Sequence, residues 1–363
     1  MECRLLYLVG HLGSGGLERQ LCYLLQAMDR KRYQPAVAVW SFREEDAHVP
    51  QIRALGVPLY SFPGAPSGAA KLAAFRRLAG QLHPEVVHSY SFYTNFAAWW
   101  ATLGSQMIPI GSIRQDFITE RRMAGRVLGR LSARCPGTQI CNSSAARKTV
   151  AQSLGPFKPT EVYLARNGLD LNRFKPQPLP RKGASVLAIG RLAPEKRWDR
   201  LLRSVATLAA RKVEIAVRLV GEGPLLAELQ SQARQLGVDG MVQFLGIQHD
   251  IPALLKDSLF LVHTADAEGC PNVVMEAMAC GRAVVATDAG EVPSLVEDGT
   301  TGFVVPRGDE ALLVERLVTL LADRALCRSM GEAGRAKAER EFGLDRLITE
   351  TLAAYWAAGW KDS

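Results

Sequence analysis

Leu5-Leu6-Tyr7-Leu8-Val9-Gly10 runs into His11-Leu12-Gly13-Ser14-Gly15-Gly16, and Leu17, Leu21, Leu24, Leu25 and Met28 then recur at helical spacing. A short apolar run, a glycine turn and an amphipathic helix read as the strand, turn and helix that open a parallel α/β unit. Working outward, residues 36–40, 85–88 and 108–113 are further short strand candidates, with helical stretches over 71–82 and 94–103 between them. Strands alternating with helices predict a parallel sheet covered on both faces. The stretch 171–183 carries Pro176, Pro178 and Pro180 with Lys175, Arg181 and Lys182 and lacks an apolar period, so it reads as a linker. After it the pattern restarts, with strand candidates at 185–189, 215–220, 242–245, 259–263, 283–287 and 302–305. The chain is therefore expected to be two α/β domains, 1–170 and 184–344. Beyond Gly343, residues 345–363 read as a C-terminal helix packing back toward the N-terminal domain, because Leu347, Ile348, Leu352, Tyr355 and Trp356 share a helical face.

A length of 363 residues suits two such domains, and 48% hydrophobic with 22% charged residues excludes a disordered, collagen-like or coiled-coil protein. The longest apolar runs fall far short of the roughly 20 residues that span a bilayer. Glu2 stands where a signal peptide would carry positive charge, so a cytosolic protein is expected. Seven scattered cysteines without a CxxC pair argue against a disulfide framework or zinc site and make buried thiols the expectation. Residues 1–170 hold 20 Lys and Arg against 11 Asp and Glu, whereas 171–363 hold 24 against 25, so the net charge of +8 belongs to the first half. That half is expected to meet something anionic: a membrane surface, a phosphorylated ligand or nucleic acid.

Open parallel sheets bind ligands beyond the carboxyl ends of their strands, and four loops there carry chemistry. Gly13-Ser14-Gly15-Gly16 allows close backbone approach and leads into a helix start that would favour a phosphate, although a tight turn explains the glycines equally well. In 190–197, Arg191 and Lys196 supply a planar fork and a flexible ammonium, a suitable pair for a diphosphate; a solvated basic turn is the plainer reading. In 268–276, Pro271 suits the first turn of a helix, so Gly269, Cys270, Pro271 and Asn272 would present backbone N–H groups to a ligand. Glu268 precedes that helix and Glu276 lies inside it; a helix cap and a structural ion pair are their plainer readings. Gly221-Glu222-Gly223-Pro224 admits a flat ring or serves as a turn.

Taken in order, Gly15-Gly16-Leu17-Glu18-Arg19, Asn167-Gly168-Leu169-Asp170, Gly190-Arg191-Leu192 with Glu195-Lys196, Val220-Gly221-Glu222-Gly223-Pro224, Phe244-Leu245-Gly246, and Glu268-Gly269-Cys270-Pro271-Asn272 with Glu276-Ala277-Met278-Ala279-Cys280-Gly281 resemble the retaining GT-B glycosyltransferases of family 4. The resemblance covers nearly the whole chain, and its most specific element is the pair of acidic residues with seven others between them. It implies two Rossmann-like doubly wound domains facing across a cleft, with a nucleotide-sugar donor, expected to be UDP-linked, held mostly by the second. Carried over, Arg191 and Lys196 would bind the donor diphosphate, Glu276 the ribose hydroxyls and Glu268 a hydroxyl of the transferred sugar. Backbone groups of Gly269, Cys270, Pro271 and Asn272 would contact sugar and phosphate, with Gly16 approaching from the opposite wall. Where many members have a histidine at a strand end, this chain has Arg114, which would add a cation on the sugar-phosphate side or face the acceptor. His88 and His11 are further candidates, and for His88 a structural role is the stronger reading. The sequence has no Asp-x-Asp triplet, so no metal and no cofactor beyond the donor itself are expected.

Between 117 and 134, helical spacing would align Arg122, Arg126, Arg130 and Arg134 beside an apolar face of Met123, Val127, Leu128 and Leu131. Such a segment could lie on anionic lipid or be an ordinary surface helix; nucleic acid is disfavoured because no aromatics interleave the cations. The expected function is sugar transfer to a glycan or polyprenyl-diphosphate-linked glycan in cell-surface polysaccharide synthesis. A nucleotide-sugar epimerase or hydrolase and a catalytically silent scaffold are the alternatives. Arg191, Lys196, Glu268 and Glu276 together argue against silence, since a scaffold has no physical need for all four.

Overall fold

The computed structural model describes residues 3–180 and 185–361. Two compact units form, Met1–Gly168 with Leu344–Ser363, and Leu169–Gly343. Glu2, the last part of the linker expected over 171–183 and the domain start expected at 184 lie outside the described residues.

The first unit contains β1 (Leu5–Val9), β2 (Pro35–Val39), β3 (Leu59–Ser61), β4 (Val86–Ser89), β5 (Ile108–Ile113), β6 (Thr138–Cys141) and β7 (Glu161–Leu164). They hydrogen-bond in parallel in the order β3-β2-β1-β4-β5-β6-β7. The second unit contains β8 (Ser185–Ile189), β9 (Val217–Val220), β10 (Val242–Phe244), β11 (Ser258–His263), β12 (Ala283–Thr287) and β13 (Gly302–Val305), parallel in the order β10-β9-β8-β11-β12-β13. Both are doubly wound Rossmann-like sheets. Every residue of β1, β2, β8, β11 and β12 is buried, the unbroken pattern that helices on both faces of a sheet require. In the second unit Trp198, Leu201, Leu202, Val205 and Leu208 of the helix Trp198–Ala210 pack onto the sheet, and Trp198 is the bulkiest fully buried side chain. Strand order reverses between β1 and β4 and between β8 and β11, the switch points where loops diverge and leave room for a ligand.

Several sequence expectations need correction. The helix drawn over 117–134 is two, Phe117–Met123 and Leu128–Arg134, because Gly125 adopts φ +86° and ends the first. Pro271 caps its helix rather than entering the first turn, which begins at Asn272. The strands β3, β6 and β7 have no counterpart in the sequence reading: they are three or four residues long, and β3 and β7 are partly exposed at the two edges of the sheet. All seven cysteines are free, but Cys135 is only half-buried. The helix Leu344–Ala357 belongs to the first unit, where Tyr355 lies in the interior. Among the described residues, no helix is long and apolar enough to cross a membrane.

Candidate functional site

In the second unit the loops after β8 and β11, on either side of the switch point, are sewn together. Thr264 Oγ1 donates to the carbonyls of Lys196 and Arg197 at 3.0 and 3.1 Å, and Asp266 N–H donates to the Glu195 carbonyl at 2.9 Å. The Asp266 carboxylate receives Arg197 at 2.6 Å and Arg200 at 2.8 Å. Arg200 is 3% exposed and also donates to the Thr264 carbonyl, so the register between the two loops is fixed from beneath. Neither Asp266 nor Arg200 is marked by a motif, and Arg197 closes the 190–197 stretch without a role assigned to it there; only the position of Asp266 just past the end of β11 could have suggested it.

This stitching delivers Lys196 to Glu268. The Lys196 ammonium and His263 Nε2 both contact Oε1 of Glu268, the imidazole at 2.9 Å, while His263 itself is fully buried at the end of β11. Burial by itself would raise the Glu268 carboxyl, but the ammonium and the imidazole outweigh it and hold the group down to about 2. An ionised carboxylate with one oxygen doubly held offers its other oxygen to a hydroxyl, and an ammonium with three N–H donors keeps donors for an anion. His263 was not singled out from sequence, where it reads as the last residue of a buried strand.

Arg191 is exposed one residue beyond Gly190, and its carbonyl accepts the Trp198 indole N–H at 2.9 Å, which ties the exposed cation to the core. Gly221 and Gly223 serve loop packing: a Cβ on Gly221, at φ +135°, would lie 2.0 Å from the Gly190 carbonyl oxygen, and one on Gly223 would lie 2.4 Å from that of Leu192. From the other side, Gly290 supports the Glu268-Gly269 backbone, where a Cβ would meet both carbonyls at 2.4 and 2.5 Å, and Glu291 N–H donates to the Gly269 carbonyl at 2.8 Å. Gly269, Cys270 and Pro271 are buried, and they lead into the helix Asn272–Ala279, whose second turn carries the fully buried Glu276. Arg191, Lys196, Glu268 and the 269–272 backbone thus lie on two interlocked loops of one unit.

The first-unit candidates are arranged differently. Gly15 caps the helix Gly16–Ala27, but a Cβ there would lie 2.1 Å from Glu18 Oε2, because the buried Glu18 side chain folds back over the helix start. Burial raises the Glu18 carboxyl, and His11 Nδ1 lies 3.3 Å from its Oε1. The place where a phosphate was expected beside Gly15 and Gly16 is therefore shared with the chain's own carboxyl group. Arg114 turns inward: its guanidinium carbon stands 3.9 Å over the Tyr90 ring, Nη2 donates to Ser112 Oγ at 3.1 Å and Nε donates to the Tyr90 carbonyl. His88 is buried between Tyr355 Oη at 2.7 Å and Ser112 Oγ at 3.0 Å. Desolvation, reinforced by Arg114, keeps its imidazole neutral, well below the usual histidine range. His88 is thus a satisfied core histidine. Glu120, which accepts the Arg114 backbone N–H at 3.2 Å, is pushed up to about 8 by burial.

Residues 14–173 match the family described as Glycosyltransferase Family 4, and residues 171–337 match Glycosyl transferases group 1. The chain is 26% identical over 205 residues to N-acetyl-alpha-D-glucosaminyl L-malate synthase of Bacillus anthracis, covering 56% of this chain and 53% of that protein. It is 27% identical over 304 residues to alpha-maltose-1-phosphate synthase of Mycolicibacterium smegmatis, 74% and 78% of the two chains. Over 212 residues it is 35% identical to a GDP-mannose-dependent alpha-(1-6)-phosphatidylinositol monomannoside mannosyltransferase of the same organism, 53% and 55% of the two chains. The chain thus spans about half the length of the first and last of these relatives. Anabaena HepE in complex with UDP-glucose superposes with a TM-score of 0.83 at 23% identity, over 98% of this chain and 99% of that one. The apo lipopolysaccharide outer core galactosyltransferase WaaB gives 0.77 at 16%, over 98% and 99%. Both similarities establish the GT-B fold.

Proposed function

The chain belongs to glycosyltransferase family 4, with the group 1 domain in its second half, and from that membership we propose that it transfers a sugar, with retention, from a nucleotide-sugar donor to a glycan acceptor. The observation that carries this reading is the Lys196, Glu268 and His263 cluster at the switch point of the second unit, with Arg191 on the same loop as Lys196. Arg191 and Lys196 bind the donor diphosphate and stabilise the charge that grows on it as the glycosidic bond breaks, an effect greatest in the transition state. The Glu268 carboxylate accepts a hydrogen bond from a hydroxyl of the transferred sugar. Glu276 serves the ribose, and the N–H groups at the start of the helix Asn272–Ala279 face sugar and phosphate.

The two cations supply the counter-charge a divalent metal would otherwise provide, so transfer is metal-independent, and the leaving diphosphate takes the acceptor proton. UDP is the expected nucleotide; a GDP-mannose-dependent relative makes GDP the alternative to test against it. The acceptor is a glycan, free or on a polyprenyl diphosphate, in cell-surface polysaccharide synthesis at the cytoplasmic face of a membrane. A thermal-shift panel of UDP, GDP and their sugars tests the donor, since a ligand that binds the native state raises the melting temperature. Product anomeric configuration and activity in EDTA then test retention and metal independence. Donor hydrolysis or epimerisation without acceptor, at the rate of transfer, would overturn the reading.

A further inference from the structure

The two short helices Phe117–Met123 and Leu128–Arg134 flank a cavity of about 270 Å³ that is open to solvent and lined by Ile118, Arg121, Arg122, Gly125, Arg126 and Arg130. Two glycines build it. Gly125, at φ +86°, turns the chain between the helices, and Gly129 lets the second helix touch the first, since a Cβ there would lie 2.0 Å from the Arg121 carbonyl oxygen. A straight helix over the same residues would spread its arginines along the surface. The turn instead gathers four of them around one opening.

No carboxylate lines the cavity, and among the described residues none forms an ion pair with any of these four arginines. The two nearby acidic side chains are engaged elsewhere: Asp116 accepts from the Thr119 N–H at 2.8 Å and its hydroxyl at 2.9 Å, and Glu120 accepts the Arg114 N–H. Arg130 lies 5.4 Å over the Phe157 ring, which restricts its guanidinium. Four like charges around one space destabilise the segment that carries them unless an anion enters between them. A carboxylate offers two oxygens and a single charge. A phosphate monoester or a diphosphate offers more oxygens and at least about two charges, and guanidinium forks match its geometry in bidentate fashion.

We propose that this cavity is a binding site for a phosphate or diphosphate group, carried either by a membrane lipid or by a soluble ligand. The site lies in the first unit, whereas the groups assigned to the donor diphosphate lie in the second, so the inference goes beyond the transferase reading and stands or falls separately.

Inorganic pyrophosphate is titrated by calorimetry into three full-length proteins: the unaltered chain, a donor-side variant with Arg191→Ala and Lys196→Gln, and that donor-side variant with Arg121→Gln, Arg122→Gln, Arg126→Gln and Arg130→Gln added. Circular dichroism checks that each is folded. The expected result is pyrophosphate binding that survives in the donor-side variant and is lost when the fourfold change is added to it, with each single Arg→Gln change in the donor-side background weakening it roughly fivefold, the upper end for exposed charge pairs. Sedimentation with phosphatidylglycerol vesicles against phosphatidylcholine vesicles distinguishes the sources. Vesicle binding that pyrophosphate reverses more effectively than sulfate at equal ionic strength identifies a lipid phosphate, and pyrophosphate binding without vesicle binding identifies a soluble ligand; both uphold the site. Binding in the donor-side variant that persists after the fourfold change, binding already lost in the donor-side variant, equal displacement by sulfate, or no binding of either probe would overturn it.

Discussion

Replacing Lys196 by Met removes the ammonium beside Glu268 while keeping most of the apolar stem, so it tests whether that pair holds the carboxylate ionised in the interior. The Glu268 carboxyl is held at about 2 against an ordinary 4.5, which at about 1.36 kcal/mol per tenfold makes the balance of its partners over burial worth about 3 kcal/mol of stability at pH 7. The folded value lies below the unfolded one, so this contribution is complete above about pH 4.5 and declines as the pH falls toward 2. At pH 3 about 1 kcal/mol should remain by the same linkage. Lys196 shares the hold with His263, so Lys196→Met should cost about 2 to 3 kcal/mol at pH 7 and about 1 kcal/mol at pH 3. Urea unfolding at both pH values measures this, with Trp198, the one tryptophan of 169–343, reporting on the second unit. In a Glu268→Gln background the Lys196→Met cost should fall below about 1 kcal/mol, because no buried charge is left unpaired. An equal loss at pH 7 and pH 3, or an equal loss with and without the carboxylate, would refute the reasoning.

Four further outcomes follow from the same geometry. Arg191→Ala should reduce nucleoside diphosphate affinity and lower transfer by orders of magnitude while leaving the melting temperature within a degree or two, because this side chain is exposed and its carbonyl, not its fork, ties it to Trp198; thermal shift with and without UDP measures both. Glu276→Ala should weaken binding of the free nucleoside diphosphate in calorimetry, whereas Glu268→Gln should leave it nearly unchanged and lower transfer, and the reverse pattern would exchange the two roles. Tyr355→Phe should cost about 1 to 3 kcal/mol, since it leaves the buried His88 ring without one partner. His88 has a lowered folded value, so its contribution is present above the unfolded value near 6.5 and is lost as the pH falls below it; His88→Phe should flatten that part of the stability profile in urea titrations.

Sequence alone determined the two parallel α/β units, because strands covered on both faces must be apolar at nearly every position and the glycine turns between strand and helix are local. It also singled out Arg191, Lys196, Glu268 and Glu276 as candidates, because each sits in a contiguous motif. It did not show Asp266 bridging Arg197 and Arg200, since those contacts join the segments after β8 and β11, strands that are adjacent only through the crossover order of the sheet, nor His263 holding Glu268, which depends on the loop after β11 folding back over the strand end. Arg114 and Gly15 were legible as a cation and a glycine. Their orientation was decided by Tyr90, Ser112 and the folded-back Glu18. The 117–134 segment shows the limit most plainly: periodicity describes a straight helix, whereas a single positive φ at Gly125 and close packing at Gly129 turn a stripe of arginines into a pocket. Periodicity is a property of neighbouring residues, but convergence of side chains depends on where the chain turns back on itself, and that is settled by tertiary contacts.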